Sequence, residues 1–463
     1  MPKYRDNVCV VSIFFYTFAV GMIDNSIIVA PATALGGAIA VIRISGEGAI
    51  ALCDTIFRGR KPLEEVASHT IHYGTICDGE RVVDDVVVAV FRAPHSYTGE
   101  ESVEISIHGS RYIAQEVMRL LCAGGARMAE AGEFSQRALA AGRIDLSQAE
   151  AVADLIAADS RAAHAVAATQ MRGGYSERLD SLREELLKIT TLLELELDFS
   201  EEDVEFADRE RLRAMLGHTD DMVVRLMDSF RVGNAIREGV SVAIVGRPNV
   251  GKSTLLNRLV GEDRAMVSEI AGTTRDTVEE SVVIDDIRFR FVDTAALHDT
   301  DDRLEQMGIE RTERAIRRAQ VILYMVEPLQ SGVELPQLTE EQHLILVVNK
   351  MDTTERRDFD DAIYISAREG EGVDALRRAL RETVDTEGLY RGEVVVSNMR
   401  HFEALCRAHE SMQAALSALD MGISEELLAE DIRSAITALS EITGRITSDD
   451  ILKNVFANFC IGK

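Results

Sequence analysis

Residues 240–254 read "VSVAIVGRPNVGKST", and this stretch decides the fold around it. An apolar run ends at Gly246. The pattern GxxxxGKS follows over Gly246–Ser253, and the helix-forming "STLLNRLV" comes next. Strand, glycine-rich turn and helix, in that order, make the context a phosphate-binding loop needs. Glycines let the backbone wrap closely, so successive N–H groups point at phosphate oxygens, and the helix amino end adds positive potential. Asn249, Val250, Gly251, Lys252, Ser253 and Thr254 are the candidate cradle. Lys252 is expected to reach the terminal phosphates and Ser253 to bind Mg²⁺.

Working outward, "SVVIDD", "IRFRFVDT", "VILYMVEP", "HLILVVNK" and "AIYIS" are Val/Ile/Leu-rich and separated by helical segments. That pattern predicts a mostly parallel sheet covered on both faces. "NKMD" (Asn349, Lys350, Met351, Asp352) ends one of these strands. A carboxylate there accepts hydrogen bonds from the N1–H and 2-amino group of guanine, which adenine lacks, so the nucleotide is expected to be GTP. Ser366, Ala367 and Arg368 follow the next strand, where the Ala367 amide is placed to donate to guanine O6. Asp293, Thr294, Ala295 and Ala296 end the strand "IRFRFVDT", and Asp293 would hold the Mg²⁺ shell through water. Small GTPases usually carry glycine where this chain has Ala296, whose Cβ limits the loop. The stretch from Ser268 through Glu269, Ile270, Ala271, Gly272, Thr273 and Thr274 lies where the first switch belongs, with Thr274 a second hydroxyl for Mg²⁺. Leu297 follows "DTAA" and cannot position water, so another group must; Glu305 is the candidate carboxylate.

Helical character precedes and follows this module. "LSQAEAVADLIAADSRAAHAVAATQM" and "SERLDSLREELLKITTLLELELDF" carry apolar residues at three- and four-residue spacing, and the helical pattern returns after Val396. The two helical stretches are expected to pack together as one discontinuous domain. From Asn25 to about residue 140, "GAIAVIRIS", "RVVDDVVVAVF" and "SVEISIHG" read as strands and "RYIAQEVMRLLCAGGA" as a helix with a glycine stop, which predicts an α+β domain. The expected partition is 1–21 an upstream extension, 22–141 the α+β domain, 142–237 and 385–463 the two helical parts, and 238–384 the inserted α/β module.

The chain has 463 residues and a formal net charge of -28, which argues against a protein that coats nucleic acid through its whole surface. Its six cysteines form no CxxC pair and no zinc spacing, as in a reduced, intracellular protein. Lys3 and Arg5 precede an apolar run over residues 8–22. A signal peptide would look like this, but the cleavage pattern is poor and the run is short for a membrane span. The preferred reading is that Met22 is the natural start, that the protein is cytoplasmic and that no membrane is involved.

The chain stops at "FCIGK", Phe459–Lys463. A prenylation signal would need an aliphatic residue where Gly462 stands and would not end in lysine. The P-loop, "AGTTRD", "EQMGIER", NKMD, the flanking helices and FCIGK together resemble the TrmE/MnmE family of tRNA-modification GTPases, over nearly everything from Asp24 to Lys463. The resemblance implies a multidomain fold: an α+β N-terminal folate-binding domain that mediates dimerisation, a discontinuous α-helical domain, and an inserted Ras-like α/β P-loop GTPase domain.

It also implies a homodimer that assembles with a flavin-dependent partner into a heterotetramer and acts on tRNA. The complex adds a carboxymethylaminomethyl-type group to carbon 5 of the wobble uridine. The one-carbon unit comes from a tetrahydrofolate derivative, the 5,10-methylene or 5-formyl form. GTP is the hydrolysed substrate, with Mg²⁺ and K⁺. Carried over to this chain, Asn249, Ser268, Ile270 and Thr273 would bind K⁺. Glu305 would orient water, and Arg43, Glu100, Arg143 and Lys463 would contact folate. Cys460 would face the substrate and, with Glu305 and Lys252, is a candidate catalytic residue. "ATALGGAIAVIR" lacks the family's usual prolines, Arg143 stands where lysine is common, Ala141 replaces a frequent asparagine, and DTAA replaces DTAG. A ribosome-assembly or signalling switch would explain the GTPase module equally well. It would not explain the first domain or the tail. A membrane-anchored GTPase would follow from taking residues 8–22 as an anchor.

Overall fold

The period-two apolar stretches of the amino-terminal third pair into one sheet. Its strands are β1 (Ile28–Pro31), β2 (Ile39–Ser45), β3 (Phe57–Gly59), β4 (Thr70–Asp78), β5 (Arg81–Phe91), β6 (Ser102–His108) and β7 (Arg127–Met128), in the order β3-β4-β5-β6-β2-β1-β7. This is seen in a computed structural model that describes residues 24, 26–198, 209–263, 280–292, 313–328, 335–339, 342–353, 359–384, 394–446, 449–457, 459 and 462. Met22 and the apolar run before it lie outside the described residues. Chain contacts divide the protein into two compact units. One comprises Met1–Ala153, Ser176–Glu184 and Ile436–Lys463; the other comprises Asp154–Tyr175 and Glu185–Ala435.

In the first unit, strand alternation separates two faces. Ile42, Ile44, Val88, Val90, Val103 and Ile105 point to one face and are fully buried. Helices α1 (Ala49–Ile56) and α2 (Arg111–Ala123) cover it, α2 through Ala114, Val117 and Leu121 at three- and four-residue spacing. The opposite face carries the intervening positions. The register sets Tyr73 beside Val87, Val87 beside Ser106, and Ser106 beside Val41. One step along, Ala89 faces Glu104, which faces Arg43. Ile71 and Tyr73 are each 71% exposed there, so the β4 end of this face is apolar and open.

Helix α3 (Glu133–Ala140) supplies Arg137, whose side chain is 1% exposed. Its guanidinium donates to Glu100 Oε2 (3.0 Å), Glu133 Oε1 (3.1 Å) and the carbonyls of Asp24 (2.9 Å) and Ser26 (2.8 Å). Burying a cation is costly unless it is partnered; these acceptors take both terminal nitrogens of Arg137, while its Nε has no partner among the described residues. Burial alone would raise the Glu133 carboxyl, but Arg127, the Glu130 N–H and Arg137 outweigh it and hold that carboxyl below its ordinary value.

Helices α4 (Leu146–Ala157), α5 (Arg161–Met171), α6 (Gly174–Asp198) and α7 (Arg209–Glu238) follow. Then come β8 (Val240–Gly246), helix α8 (Lys252–Asp263), β9 (Glu280–Ile284), β10 (Ile287–Phe291), β11 (Val321–Val326), β12 (His343–Val348), β13 (Ile363–Tyr364) and helix α9 (Val373–Glu382). The six strands form a second sheet in the order β13-β12-β11-β8-β10-β9. Every pairing is parallel except the β9–β10 hairpin. Long apolar runs such as "VILYMV" belong to its buried central strands.

The chain leaves this sheet into α10 (Met399–Asp420), α11 (Glu425–Thr443) and α12 (Asp449–Ala457). Helices α7 and α10, which flank the inserted module in sequence, pack on each other. Asp220 accepts from His409 Nδ1 (2.7 Å) and Gln413 Nε2 (2.6 Å), and the rings of Phe230 and Phe402 stack with centroids 4.4 Å apart. Gly233 lies so close to the returning chain that a Cβ there would sit 2.2 Å from the Val396 carbonyl oxygen. Within the same unit, the segment joining α4 to α5 grips the β9–β10 hairpin. Arg288 pairs with Asp159 (3.0 Å), and the Ala162 N–H donates to the Asp286 carbonyl (3.3 Å).

Candidate functional site

The P-loop follows β8 and opens α8 with a backbone that few residue types tolerate. Gly246 has φ +152° and Gly251 φ +102°, and Asn249 adopts φ 64°. Contact reinforces the requirement for glycine. A Cβ on Gly246 would lie 2.4 Å from the Met325 carbonyl oxygen, and one on Gly251 would lie 2.2 Å from Asn349 Nδ2. The loop is therefore pressed between β11 and the end of β12. Val250 is buried beneath it, while Lys252, Ser253 and Thr254 form the first turn of α8.

Asn349 ties together three segments far apart in sequence. Its Nδ2 donates to the Val250 carbonyl (2.7 Å), and its Oδ1 accepts from the Ala367 N–H (2.9 Å). Asp352 Oδ1 accepts from Ser366 Oγ (2.8 Å), and Ser366 Oγ in turn accepts from the Glu369 N–H (3.2 Å). The Lys350 ammonium pairs with Glu327, just past the end of β11. Lys252 Nζ donates to the carbonyls of Gly246 and Arg247, each at 3.0 Å, and burial pushes its ammonium below the ordinary lysine value. Asn249, Val250, Gly251, Lys252, Ser253, Thr254, Asn349, Lys350, Asp352, Ser366, Ala367 and Arg368 all lie on the P-loop, the end of β12 or the loop after β13. The sequence reading passed over Glu327 and Arg258, which touch these segments from outside every motif.

A second cluster forms in the first unit. The Arg43 guanidinium lies 5.6 Å from the Tyr97 ring centroid and 5.7 Å from that of Phe134. It pairs with Glu104 at 2.8 Å and donates to the Gly462 carbonyl at 3.4 Å. The tail thus meets the first sheet, and Gly462 is pressed there: its φ is 98°, and a Cβ would lie 2.0 Å from the Pro31 carbonyl oxygen. Phe459 packs beside Phe456, and both lie against Gly132. Tyr97 and Arg143 line an open cleft of about 390 Å³ with His69, Phe91, His95 and Ser96. A Cβ on Gly99 would lie 2.8 Å from that of Ala141, so the 96–101 loop fits against the turn bearing Arg143 only with small residues at that contact. Glu100 is turned toward Arg137 and Ser45, whose hydroxyl donates to it at 3.0 Å.

Ser268, Glu269, Ile270, Ala271, Gly272, Thr273, Thr274, Asp293, Thr294, Ala295, Ala296, Glu305, Cys460 and Lys463 lie outside the described residues.

Two family models match successive stretches of the chain. Residues 27–143 match the family model described as the GTP-binding protein TrmE N-terminus, and residues 146–460 match the one described as the MnmE helical domain. The chain belongs to the MnmE family. A curated relative, the tRNA modification GTPase MnmE of Bacteroides thetaiotaomicron, is 46% identical over 95% of this chain and 100% of its own length. The protein of the same name from Flavobacterium johnsoniae is 46% identical over 96% of this chain and 100% of its own length. Among solved structures, the G domain of the T. maritima FeoB iron transporter aligns over 31% of this chain and 98% of its own, at 19% identity and a TM-score of 0.22. The P-loop lies within the second of the two family-model matches and Arg43 within the first. Among the described residues, no helix is long and apolar enough to cross a membrane.

Proposed function

We propose that this chain hydrolyses GTP in a K⁺-dependent reaction that serves tRNA modification in the cytoplasm. With a flavin-containing partner, it adds a carboxymethylaminomethyl-type group to carbon 5 of the wobble uridine, using a folate one-carbon unit. The observation that carries the GTP part is the junction at Asn349, where the P-loop, the NKMD turn and the Ala367 loop share one side chain. That junction fixes the separation between a phosphate cradle and a guanine-reading carboxylate. The proposed domain limits are those of the sequence reading, with the GTPase at residues 238–384.

In this reading the P-loop amides and Lys252 bind the β- and γ-phosphates, Asp352 accepts the guanine N1–H and 2-amino group, and Ala367 donates to O6. Ser253 and Thr274 would hold Mg²⁺. Asn249 would hold K⁺ with Ser268, Ile270 and Thr273; the left-handed Asn249 backbone fits a residue turned out of the ordinary loop path. Held by these residues, the cations would supply positive charge to offset charge developing in the transition state. Glu305 orients the attacking water.

The folate part is supported by Arg43, Tyr97 and Gly462 coming together beside a cleft of about 390 Å³, within the usual range for small-molecule sites. Arg43, Arg143 and Lys463 suit carboxylates or ring oxygens, and Glu100 suits the donor edge of a pterin. Cys460 stands two residues before Gly462 in the sequence. A homodimer is supported by the open sheet face with Ile71, Tyr73 and Val87, an apolar patch of the kind that marks an interface.

The K⁺ mechanism is tested by GTP turnover in K⁺ against Na⁺ for the native protein, Asn249→Ala and Glu305→Ala. K⁺ is expected to accelerate the native protein, Asn249→Ala to lose that acceleration, and Glu305→Ala to be slow in both salts. Equal turnover in Na⁺, with neither substitution mattering, would remove the mechanism.

Lys252 gives a pH signature as well. Its pKa lies below the ordinary 10.5 through burial, and an adjacent polyphosphate raises it again. Nucleotide affinity is therefore steady at pH values below the lowered pKa and falls as pH rises through it. Binding in that alkaline window takes up a proton. Calorimetry in two buffers of different ionisation enthalpy reads the uptake, which Lys252→Ala is expected to abolish.

A further inference from the structure

Arg258 sits on the second turn of α8, outside every nucleotide motif, yet its guanidinium reaches the loop after β13. Its Nε donates to the Ala367 carbonyl (3.4 Å) and its Nη2 to the Arg368 carbonyl. The same group lies along Gly370, where a Cβ would be 3.6 Å from the guanidinium carbon, and Gly370 has φ +89°. The loop is closed on itself by the Gly370 N–H on the Ser366 carbonyl (2.8 Å) and the Ser366 N–H on the Glu371 carbonyl (2.9 Å).

The loop is thus held from two sides. Asn349 takes the Ala367 N–H, and Arg258 takes the two successive carbonyls that follow it. A planar, permanently charged fork suits two neighbouring carbonyls better than a point charge does. Because Arg258 belongs to the helix that begins with the P-loop lysine, it joins the phosphate cradle to the loop that reads the base.

We infer that Arg258 is a positioning residue for guanine selectivity: it fixes the backbone of the loop after β13, so that the Ala367 N–H, which Asn349 Oδ1 already accepts, can be shared with the 6-oxygen of the base. This rests on the guanine reading of the site proposed above. Arg258 touches neither base nor phosphate in this account, so its loss weakens only ligands that carry a 6-oxygen.

The test is calorimetric binding of GDP, IDP and ADP, with Mg²⁺, to the native protein, Arg258→Ala and Arg258→Lys. GDP and IDP share O6 and N1–H, and only GDP has the 2-amino group that Asp352 reads. Arg258→Ala is expected to weaken GDP and IDP by the same factor, about tenfold, from the loss of charge-assisted hydrogen bonds. ADP affinity and the GDP/IDP ratio stay unchanged. Arg258→Lys keeps one carbonyl contact and shows the same pattern at roughly threefold; it carries the test if the alanine variant does not fold. An equal fall for GDP, IDP and ADP would mean that Arg258 only stiffens α8, and would overturn the inference. So would unchanged GDP binding. A native protein that binds ADP as tightly as GDP would instead overturn the guanine reading, and this inference with it.

Discussion

Lys252→Ala is expected to lower GTP turnover at saturating substrate by roughly 10²–10³-fold, the usual cost of removing one preorganised charge from a developing anion. The geometry makes the loss specific. Lys252 Nζ is held at 3.0 Å from both the Gly246 and Arg247 carbonyls, so its ammonium is fixed over the loop. Water has no counterpart to that placement. The backbone cradle does not rest on that side chain alone, because Asn349 Nδ2 still donates to the Val250 carbonyl (2.7 Å). Guanine selectivity should therefore persist in the variant while turnover collapses. Single-turnover hydrolysis measured beside GDP and ADP affinity separates the two effects. A variant that hydrolyses GTP at more than about a tenth of the native rate would show that Lys252 is not at the reacting phosphate.

The second large effect concerns the first unit. Arg137→Ala is expected to destabilise it by about 1–3 kcal/mol, because Glu133 keeps only Arg127 of its two guanidinium partners and the part-exposed Glu100 loses Arg137. Glu133 is itself 8% exposed at its side chain, so water does not replace the lost partner. The loss depends on pH with a definite sign. The folded Glu133 carboxyl lies below its ordinary 4.5, so its stabilising pairing is present above that value and fades as pH falls through and below it. Arg127 is the larger cause of that lowering and remains in the variant, so the difference between native protein and Arg137→Ala should shrink only by the share due to Arg137 as pH falls below 4.5. Urea unfolding followed by circular dichroism at neutral and acidic pH reads both predictions. Equal stability at neutral pH would contradict the account of the buried arginine. Because Arg137 also holds Glu100, the folate affinity proposed for this unit should fall in the same variant even where it is folded.

Much of this architecture is legible in the sequence because local pattern and tertiary burial agree. "RVVDDVVVAVF" alternates and becomes β5 with one buried face; "VILYMV" does not alternate and becomes a central strand. The P-loop is legible for a stronger reason: its glycines are demanded by left-handed backbone and by contacts too close for a Cβ. The packing of α7 on α10 follows from helices placed on either side of an inserted sheet, though nothing local marks Asp220 as the acceptor for His409 and Gln413.

What the sequence did not disclose are the groups that act through distance. Arg137 reads as one more helix-face charge until the fold buries it among Glu100, Glu133 and two carbonyls. Arg258 has the same spacing as a solvated residue on α8, and only the return of the loop after β13 gives it acceptors. The tail was legible through family resemblance alone. Its physical anchor, Gly462 against Pro31 and Arg43, depends on a contact between the two ends of the chain.

The measurement that bears most directly on the whole account is the nucleoside composition of tRNA from a strain lacking this gene, complemented with the native chain or with Lys252→Ala. The account predicts that wobble uridines lack the carbon-5 group in the deletion strain. The native chain restores it and Lys252→Ala does not. Full modification in the deletion strain, or full restoration by Lys252→Ala, would contradict the claim that GTP hydrolysis at this P-loop serves tRNA modification.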